Sequence, residues 1–388
     1  MGLFQAEHEN VLRTFYGRDH EAYSTVLESL AGFLEAEVEP KSARFDEEGG
    51  GIAGVRKALF DQGLARIPFE AQGGIALPFG VYSLAMELVG AADAPTAMSI
   101  GVHNMVAEGV FRFGTTAQKQ STFSDLISGR KLGAFSLTEP TSGSDAKSMS
   151  TRAVRVGSGY VLNGSKMFIT NAGEADLYLV FARTEKGHSA FLVDRSTPGL
   201  SAGDDIAKLG MRGSRTSEVR LVDCHVTSES LLGEDGSGFE YAKIMLNGSR
   251  IIMGSICVGI ALTAYRKALG YSKQRELFGQ RLADLQMTRE KIANMRTEIT
   301  SGRLLCLYAS RLKELGLDHA SEAAQAKVLS TEMAARVCDQ VIQIYGGYGY
   351  TDRGVHRHWR DARLLAIGEG ASEVLRMLIA GKEFSGTR

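Results

Sequence analysis

Apolar residues recur at the helical spacing of three to four positions over residues 23–33 and 82–88, with breaks at Gly49-Gly50-Gly51 and Gly73-Gly74. The first 130 residues or so therefore read as helical. From Lys131 the pattern changes to short runs rich in β-branched and aromatic residues: Ala153-Val154-Arg155-Val156, Tyr178-Leu179-Val180-Phe181, Ala190-Phe191-Leu192-Val193 and Val219-Arg220-Leu221-Val222. Turns such as Gly157-Ser158-Gly159 and Asn163-Gly164 separate them, which predicts an antiparallel barrel or sandwich. After Gly238 the helical period returns over residues 239–272, 287–315, 321–345 and 371–384, the pattern of a four-helix bundle. The expected class is α+β, with a helical domain over 1–130, a β domain over 131–237 and a helical bundle over 238–388.

Composition narrows the function classes. The chain has 388 residues, of which 44% are apolar and 23% charged, with a formal net charge of −1. Such a balance gives no field to attract nucleic acid or an anionic membrane. Six prolines suit long helices, whereas forty-five glycines require many special turns. Cys224, Cys257, Cys306 and Cys338 are widely spaced with no CxxC pair, so reduced core thiols are expected rather than disulfides or a metal site. The apolar run 251–262 is short of the roughly 20 residues a bilayer requires and reads as a buried helix. A polar, acidic start without a signal pattern leads to the expectation of a cytoplasmic protein without membrane insertion.

Four segments carry candidate chemistry. The first, Leu137-Thr138-Glu139-Pro140-Thr141-Ser142-Gly143-Ser144-Asp145, is rich in hydroxyls; such loops form caps and turns, and equally hydrogen-bond the edge of a polar ring. The second, Lys166-Met167-Phe168-Ile169-Thr170-Asn171, reads as a strand end with an Asn turn. The third, Tyr271 to Gln280, ends a long helix with cations, which the helix dipole favours whatever their function. The last runs from Gln343-Ile344-Tyr345-Gly346-Gly347-Tyr348-Gly349 to Ile367-Gly368-Glu369-Gly370. It follows a helix rather than a strand and so is no dinucleotide fingerprint, but it presents one carboxylate, Glu369, between two glycines. Asn247-Gly248-Ser249-Arg250 is expected to open the long helix that holds the apolar run, and His103 reads first as a packed core histidine.

These segments together resemble the acyl-CoA dehydrogenase family over nearly the whole chain. The resemblance implies FAD as cofactor and an acyl thioester, on coenzyme A or a carrier protein, as substrate. It implies a homo-oligomer, a tetramer, that passes electrons to an electron-transfer flavoprotein. Glu369 becomes the base that removes the α-proton while flavin N5 accepts hydride from the β-carbon. Leu137, Thr138 and Thr170 line the flavin ring, Phe168 shields it, and Ser144 faces the pantetheine arm. Arg275, with Phe278, Gln286, Gln343, Gly346 and Gly347, reaches an FAD held mainly by a neighbouring subunit, and Ala371 and Glu373 lie near the cofactor. Asn247, Arg250 and Gly370 support the substrate. One branch of the family places its base immediately before the arginine; Ser249 stands there in this chain and is no base.

Departures from the family pattern point to a short or modified acyl group. Phe168 replaces the usual Trp and lacks its indole N–H. Gly368 replaces an aromatic residue before the base, Ala371 a Thr, and Gly354 and His356 the Pro and acidic positions ahead of Arg357. Pro95 replaces the arginine of dicarboxyl-acyl relatives, which argues against glutaryl-type substrates. Two rivals follow: a flavin-dependent oxidase or monooxygenase on the same fold, and a helical scaffold that has lost activity.

Overall fold

The computed structural model describes residues 2–70 and 73–386. Its leading helices are α1 (Ala6–Tyr16), α2 (His20–Phe33), α3 (Ala53–Asp61), α4 (Phe79–Ala92) and α5 (Ala94–Phe113). Asp93 sits between α4 and α5 in extended conformation and caps α5, accepting from the Thr96 N–H at 2.9 Å and the Thr96 hydroxyl at 2.6 Å. Pro95 occupies the first turn, where no helical N–H is required. The helix α4 is buried from Gly80 to Ala92 on every side, so its sequence is apolar nearly all round rather than striped, with Ser83 and Glu87 as the buried polar exceptions.

One seven-stranded sheet follows: β1 (Gly133–Ser136), β2 (Arg152–Val156), β3 (Gly159–Thr170), β4 (Leu177–Thr184), β5 (Gly187–Asp194), β6 (Leu200–Ala202) and β7 (Thr216–Thr227). The order is β1-β4-β2-β3-β7-β6, with β5 also paired to β4. Hairpins and β-turns make most pairs antiparallel, as expected, but β1 runs parallel to β4, and β2 meets β4 in parallel at Arg152↔Arg183. The sheet is thus mixed. Strand β4 shows the period of two plainly: Leu177, Leu179 and Phe181 join a core with Val106, Val110 and Met245, while Tyr178, Val180 and Ala182 join one with Tyr160, Phe191 and Val219. The sheet is therefore covered by helices on one face and curls over its own core on the other.

The longer helices after the sheet are α6 (Gly238–Gln274), α7 (Gln286–Glu314), α8 (Ala320–Tyr345), α9 (Arg353–Leu365) and α10 (Ser372–Ser385). A short hairpin, β8 (Glu276–Leu277) and β9 (Gln280–Arg281), separates α6 from α7. Asn247 to Arg250 lies inside α6 rather than at its start, because the helix already begins at Gly238. By length and composition α6 could cross a bilayer, but its most apolar window is 83% buried inside the protein. It is the central helix of the bundle and packs against α4, α5, α7 and α8.

The helices before and after the sheet share one core. Where α4 crosses α6, glycines face backbone: a Cβ at Gly90 would lie 2.8 Å from the Ile256 carbonyl oxygen, and one at Gly259 would lie 2.1 Å from that of Glu87. A buried ionic network fastens the same crossing to α1 and α7. Arg303 donates to Glu87 at 3.0 and 3.1 Å through Nε and at 2.5 Å through its terminal nitrogen, which also reaches Glu7 at 3.1 Å. The Gln5 N–H donates to His8 Nδ1, leaving Nε2–H to donate to Glu87 at 3.1 Å. Burial alone would raise the Glu87 pKa, but the Arg303 charge and these hydrogen bonds win and hold it at about 2.

Candidate functional site

The chain stops α9 at Leu365 and starts α10 at Ser372, and the link between them is a tight loop. The Ile367 and Gly368 N–H groups close the end of α9 on the Leu364 carbonyl at 2.8 and 3.0 Å. Glu369 then takes φ 55 and Gly370 φ 103. Only glycine is comfortable at the second; at the first, a side chain is held in a conformation that costs about 1 kcal/mol or more, a feature typical of functional sites. Neighbouring elements enforce it. The Lys327 ammonium, fully buried on α8, donates to the Gly370 carbonyl at 2.6 Å. Arg250 on α6 reaches the Glu369 carbonyl at 3.5 Å and donates to Asn247 Oδ1 at 2.9 Å.

Both Glu369 carboxylate oxygens are shielded from solvent, and neither has a hydrogen-bond partner. The Ser249 hydroxyl, also unpartnered, lies beside them and favours the ionised form without completing a bond of normal geometry. Burial raises the Glu369 pKa; Ser249, Lys327 and Arg250 oppose it and do not cancel it. Ser249 also lines a cavity of about 120 Å³ bounded by Phe79, Tyr82, Asn104, Glu108 and Lys313. A buried acid of raised proton affinity therefore stands next to Ser249, on the wall of a small pocket.

A second group forms at the edge of the sheet. The Met167 N–H donates to the Thr138 carbonyl at 2.8 Å, tying the hydroxyl-rich loop to the end of β3. The β3–β7 register slips between Lys166 and Ile169, and Phe168 at this bulge has φ 59, which turns its ring outward to 63% exposure. Thr138 and Thr170 are half-buried beside it, Leu137 is buried and Ser144 is exposed. The anchor of the loop is Glu139, for which the sequence suggested no role. It is buried, paired with Lys166 at 2.8 Å, and accepts from the Ser150 and Thr151 N–H groups at 2.5 and 3.0 Å. Burial works against its charge, yet the Lys166, Ser150 and Thr151 contacts hold its pKa at about 2.

A third group lines a cavity of about 550 Å³ at the end of α6: Arg275, Lys291, Gln343, Gly346 and Gly347, with the stacked rings of Tyr271 and Tyr345 at 4.1 Å. Neither Arg275 nor Lys291 has an ion-pair partner among the described residues. Phe278 sits in the β8–β9 turn at φ 54 and is 93% exposed, and Gln286 and Glu373 are exposed at the starts of α7 and α10. The structure thus brings Glu369, Gly370, Asn247, Arg250 and Ser249 together, and separately Arg275, Gln343, Gly346 and Gly347. Ala371 follows the Glu369 loop as the cap of α10. His103 is a core residue as expected: Gly133 N–H donates to its Nδ1 at 3.0 Å, and its Nε2–H donates to the Leu126 carbonyl at 3.0 Å. The one sequence signal for Lys327 is its place as a lone Lys within the apolar face of α8.

A mixed sheet between two helical regions, with a buried acid held in a strained loop at their shared core, defines a class. Models of the N-terminal, middle and C-terminal domains of acyl-CoA dehydrogenase match residues 20–130, 134–224 and 236–383. The chain belongs to the acyl-CoA dehydrogenase family of oxidoreductases. It is 40% identical to the mitochondrial short-chain specific acyl-CoA dehydrogenase of Homo sapiens, over 93% of this chain and 90% of that one. Its fold is similar to that of butyryl-CoA dehydrogenase from Megasphaera elsdenii, with a TM-score of 0.91, 36% identity and coverage of 93% and 98%. It is also similar to a glutaryl-CoA dehydrogenase from Mycobacterium smegmatis in complex with FADH2, with a TM-score of 0.89, 27% identity and coverage of 99% and 96%.

The residues present fit a flavin dinucleotide. A ring-bearing cofactor needs a flat apolar neighbour, and the bulge exposes Phe168 for it. A pyrophosphate needs uncommitted cations, and Arg275 and Lys291 line the large cavity without carboxylate partners.

Proposed function

We propose that this protein is an FAD-dependent dehydrogenase that converts a short or modified acyl thioester, on coenzyme A or a carrier protein, into the trans-2-enoyl thioester. The observation that carries this reading is the Glu369 carboxylate, buried with two unsatisfied oxygens beside a small cavity. Bound FAD supplies the acceptor for the β-hydride. Glu369 takes the α-proton onto a carboxylate oxygen, and its raised proton affinity matches it to that weak carbon acid. The Glu369 N–H, which has no backbone acceptor among the described residues, is the donor we assign to the thioester carbonyl. Lys327 and Arg250 hold that donor and the carboxylate in one rigid loop.

Arg275 and Lys291 would hold the FAD pyrophosphate, Thr138 and Thr170 the edge of the ring, and Phe168 its face. The exposed side chains of Phe278, Met287, Tyr348 and Phe384 support a homotetramer in which a neighbouring subunit completes each FAD site. An electron-transfer flavoprotein as acceptor and a cytoplasmic setting belong to the same proposal.

Anaerobic mixing with short acyl-CoA thioesters tests it, read as loss of the oxidised flavin absorbance. Rapid bleaching under argon is the expected result. No bleaching, together with oxygen consumption on another substrate, would replace this reading with an oxidase or monooxygenase.

A further inference from the structure

The cavity beside Ser249 has a polar far wall that proton removal does not use. Asn104 on α5 is 5% exposed; its amide donates to the Tyr82 hydroxyl at 2.8 Å, and its Oδ1 has no partner. Tyr82 on α4 accepts that bond and keeps its own proton to donate. If the amide is turned over, Tyr82 donates to it and an N–H is left open instead, so either orientation presents one unsatisfied polar group to the cavity.

Across from them stand Glu108 and Lys313, paired at 2.5 Å, with the Lys313 ammonium 4.7 Å from the centre of the Phe79 ring. This pair packs on bare backbone: a Cβ at Gly248 would lie 2.8 Å from Lys313 Nζ and 3.0 Å from Glu108 Oε2. Gly248 immediately precedes Ser249, so the ion pair and the base flank the same turn of α6.

The geometry points to a substrate whose acyl group is about four carbons long and carries a hydroxyl at its far end, held by Asn104 and Tyr82. This deepens the proposed function and rests on its assignment of Glu369. The cavity of about 120 Å³ sets the length, because a cavity of about 150 Å³ takes one six-carbon ring, so roughly four or five carbons fit here. A plain alkyl end would cover the open end of Asn104 without replacing its hydrogen bond, and such a site rejects the analogue that lacks the polar group. A hydroxyl both donates and accepts, so it satisfies Asn104 in either orientation. An ammonium gains less, because Lys313 already neutralises Glu108, and a carboxylate, with no proton to give, cannot satisfy Asn104 Oδ1.

The test compares 4-hydroxybutyryl-CoA with pentanoyl-CoA, in which a methyl replaces the hydroxyl. Calorimetry on flavin-loaded E369Q measures binding without turnover. The hydroxyl compound is expected to bind at least about tenfold more tightly, the scale of one good hydrogen bond. Adding N104L should remove that preference while tightening pentanoyl-CoA. Equal or tighter binding of pentanoyl-CoA to E369Q overturns the proposal, whatever N104L does. If both thioesters bleach the wild-type flavin yet bind equally, the polar pocket is wrong and Glu369 stands as base. If binding discriminates but neither thioester bleaches the wild-type flavin, the pocket stands and the dehydrogenase reading fails.

Discussion

Glu87 and Glu369 are both buried glutamates in the helical core, yet the protein treats them in opposite ways. Glu87 accepts hydrogen bonds from Arg303 and His8, and its proton affinity is driven down to about 2. Glu369 has no hydrogen-bond partner, sits in a left-handed backbone conformation, and has its proton affinity raised by burial. A satisfied acid fastens elements together, whereas an unsatisfied one is held ready for a proton from elsewhere. The difference arises from the arginines. Arg303 directs its guanidinium at Glu87, whereas Arg250 engages Asn247 and the Glu369 backbone.

Exchanging the two acids for amides sharpens this contrast. Glu369→Gln should slow flavin reduction by an acyl thioester by about 10²–10⁴-fold, the usual contribution of a positioned base. Its urea unfolding midpoint should not fall, because an unpaired buried acid contributes no stability. A near-normal reduction rate would remove Glu369 from the mechanism. Glu87→Gln should do the reverse, costing about 3 kcal/mol in urea unfolding because Arg303 loses its main counter-charge in the interior. Reduction of the flavin in the folded fraction should change little, and a selective kinetic defect would contradict the structural role.

The pH dependence gives a smaller effect with a defined sign. With Glu369 as the proposed base, flavin reduction by a thioester should slow as pH drops through a folded-state pKa above the usual 4.5. Lys327 favours the ionised form, and Lys327→Met should therefore move that acid limb to still higher pH. An unmoved limb in the folded variant would mean that Lys327 acts on the loop without acting on the charge. For stability the sign is opposite: the folded state binds the Glu369 proton more tightly than the unfolded chain. Its burial penalty is thus absent below pH 4.5 and grows as pH rises toward the folded value.

The periodicity of the sequence located the long helices and the β region because each of those elements buries a regular face. The strand pattern in β4 was equally legible, but not its parallel pairing with β1, since pairing direction leaves no mark on a period of two. Within the site, Glu369 was readable from its glycine flanks and from resemblance. Lys327, Asn104 and Glu108 were not, because each acts through partners far along the chain: Gly370, Tyr82 and Lys313. Glu139 lies inside a loop of more conspicuous hydroxyls, and only the fold shows that it binds Lys166 and two backbone amides. The bulge that turns Phe168 outward arises from register against β7 and is likewise invisible locally.

The glycine contact between Gly90 and Gly259 has a consequence for biosynthesis. During translation α4 emerges long before α6, and although it also meets α2 and α5, it stays unprotected on the face that crosses α6 until residues to Gln274 have left the ribosome. The growing polypeptide must carry that unprotected helix past the entire sheet, a window in which holdase chaperones should engage it. A chain ended at Thr227 should then be cleaved rapidly by protease within α4, and resistance there would show that the first helices close on themselves.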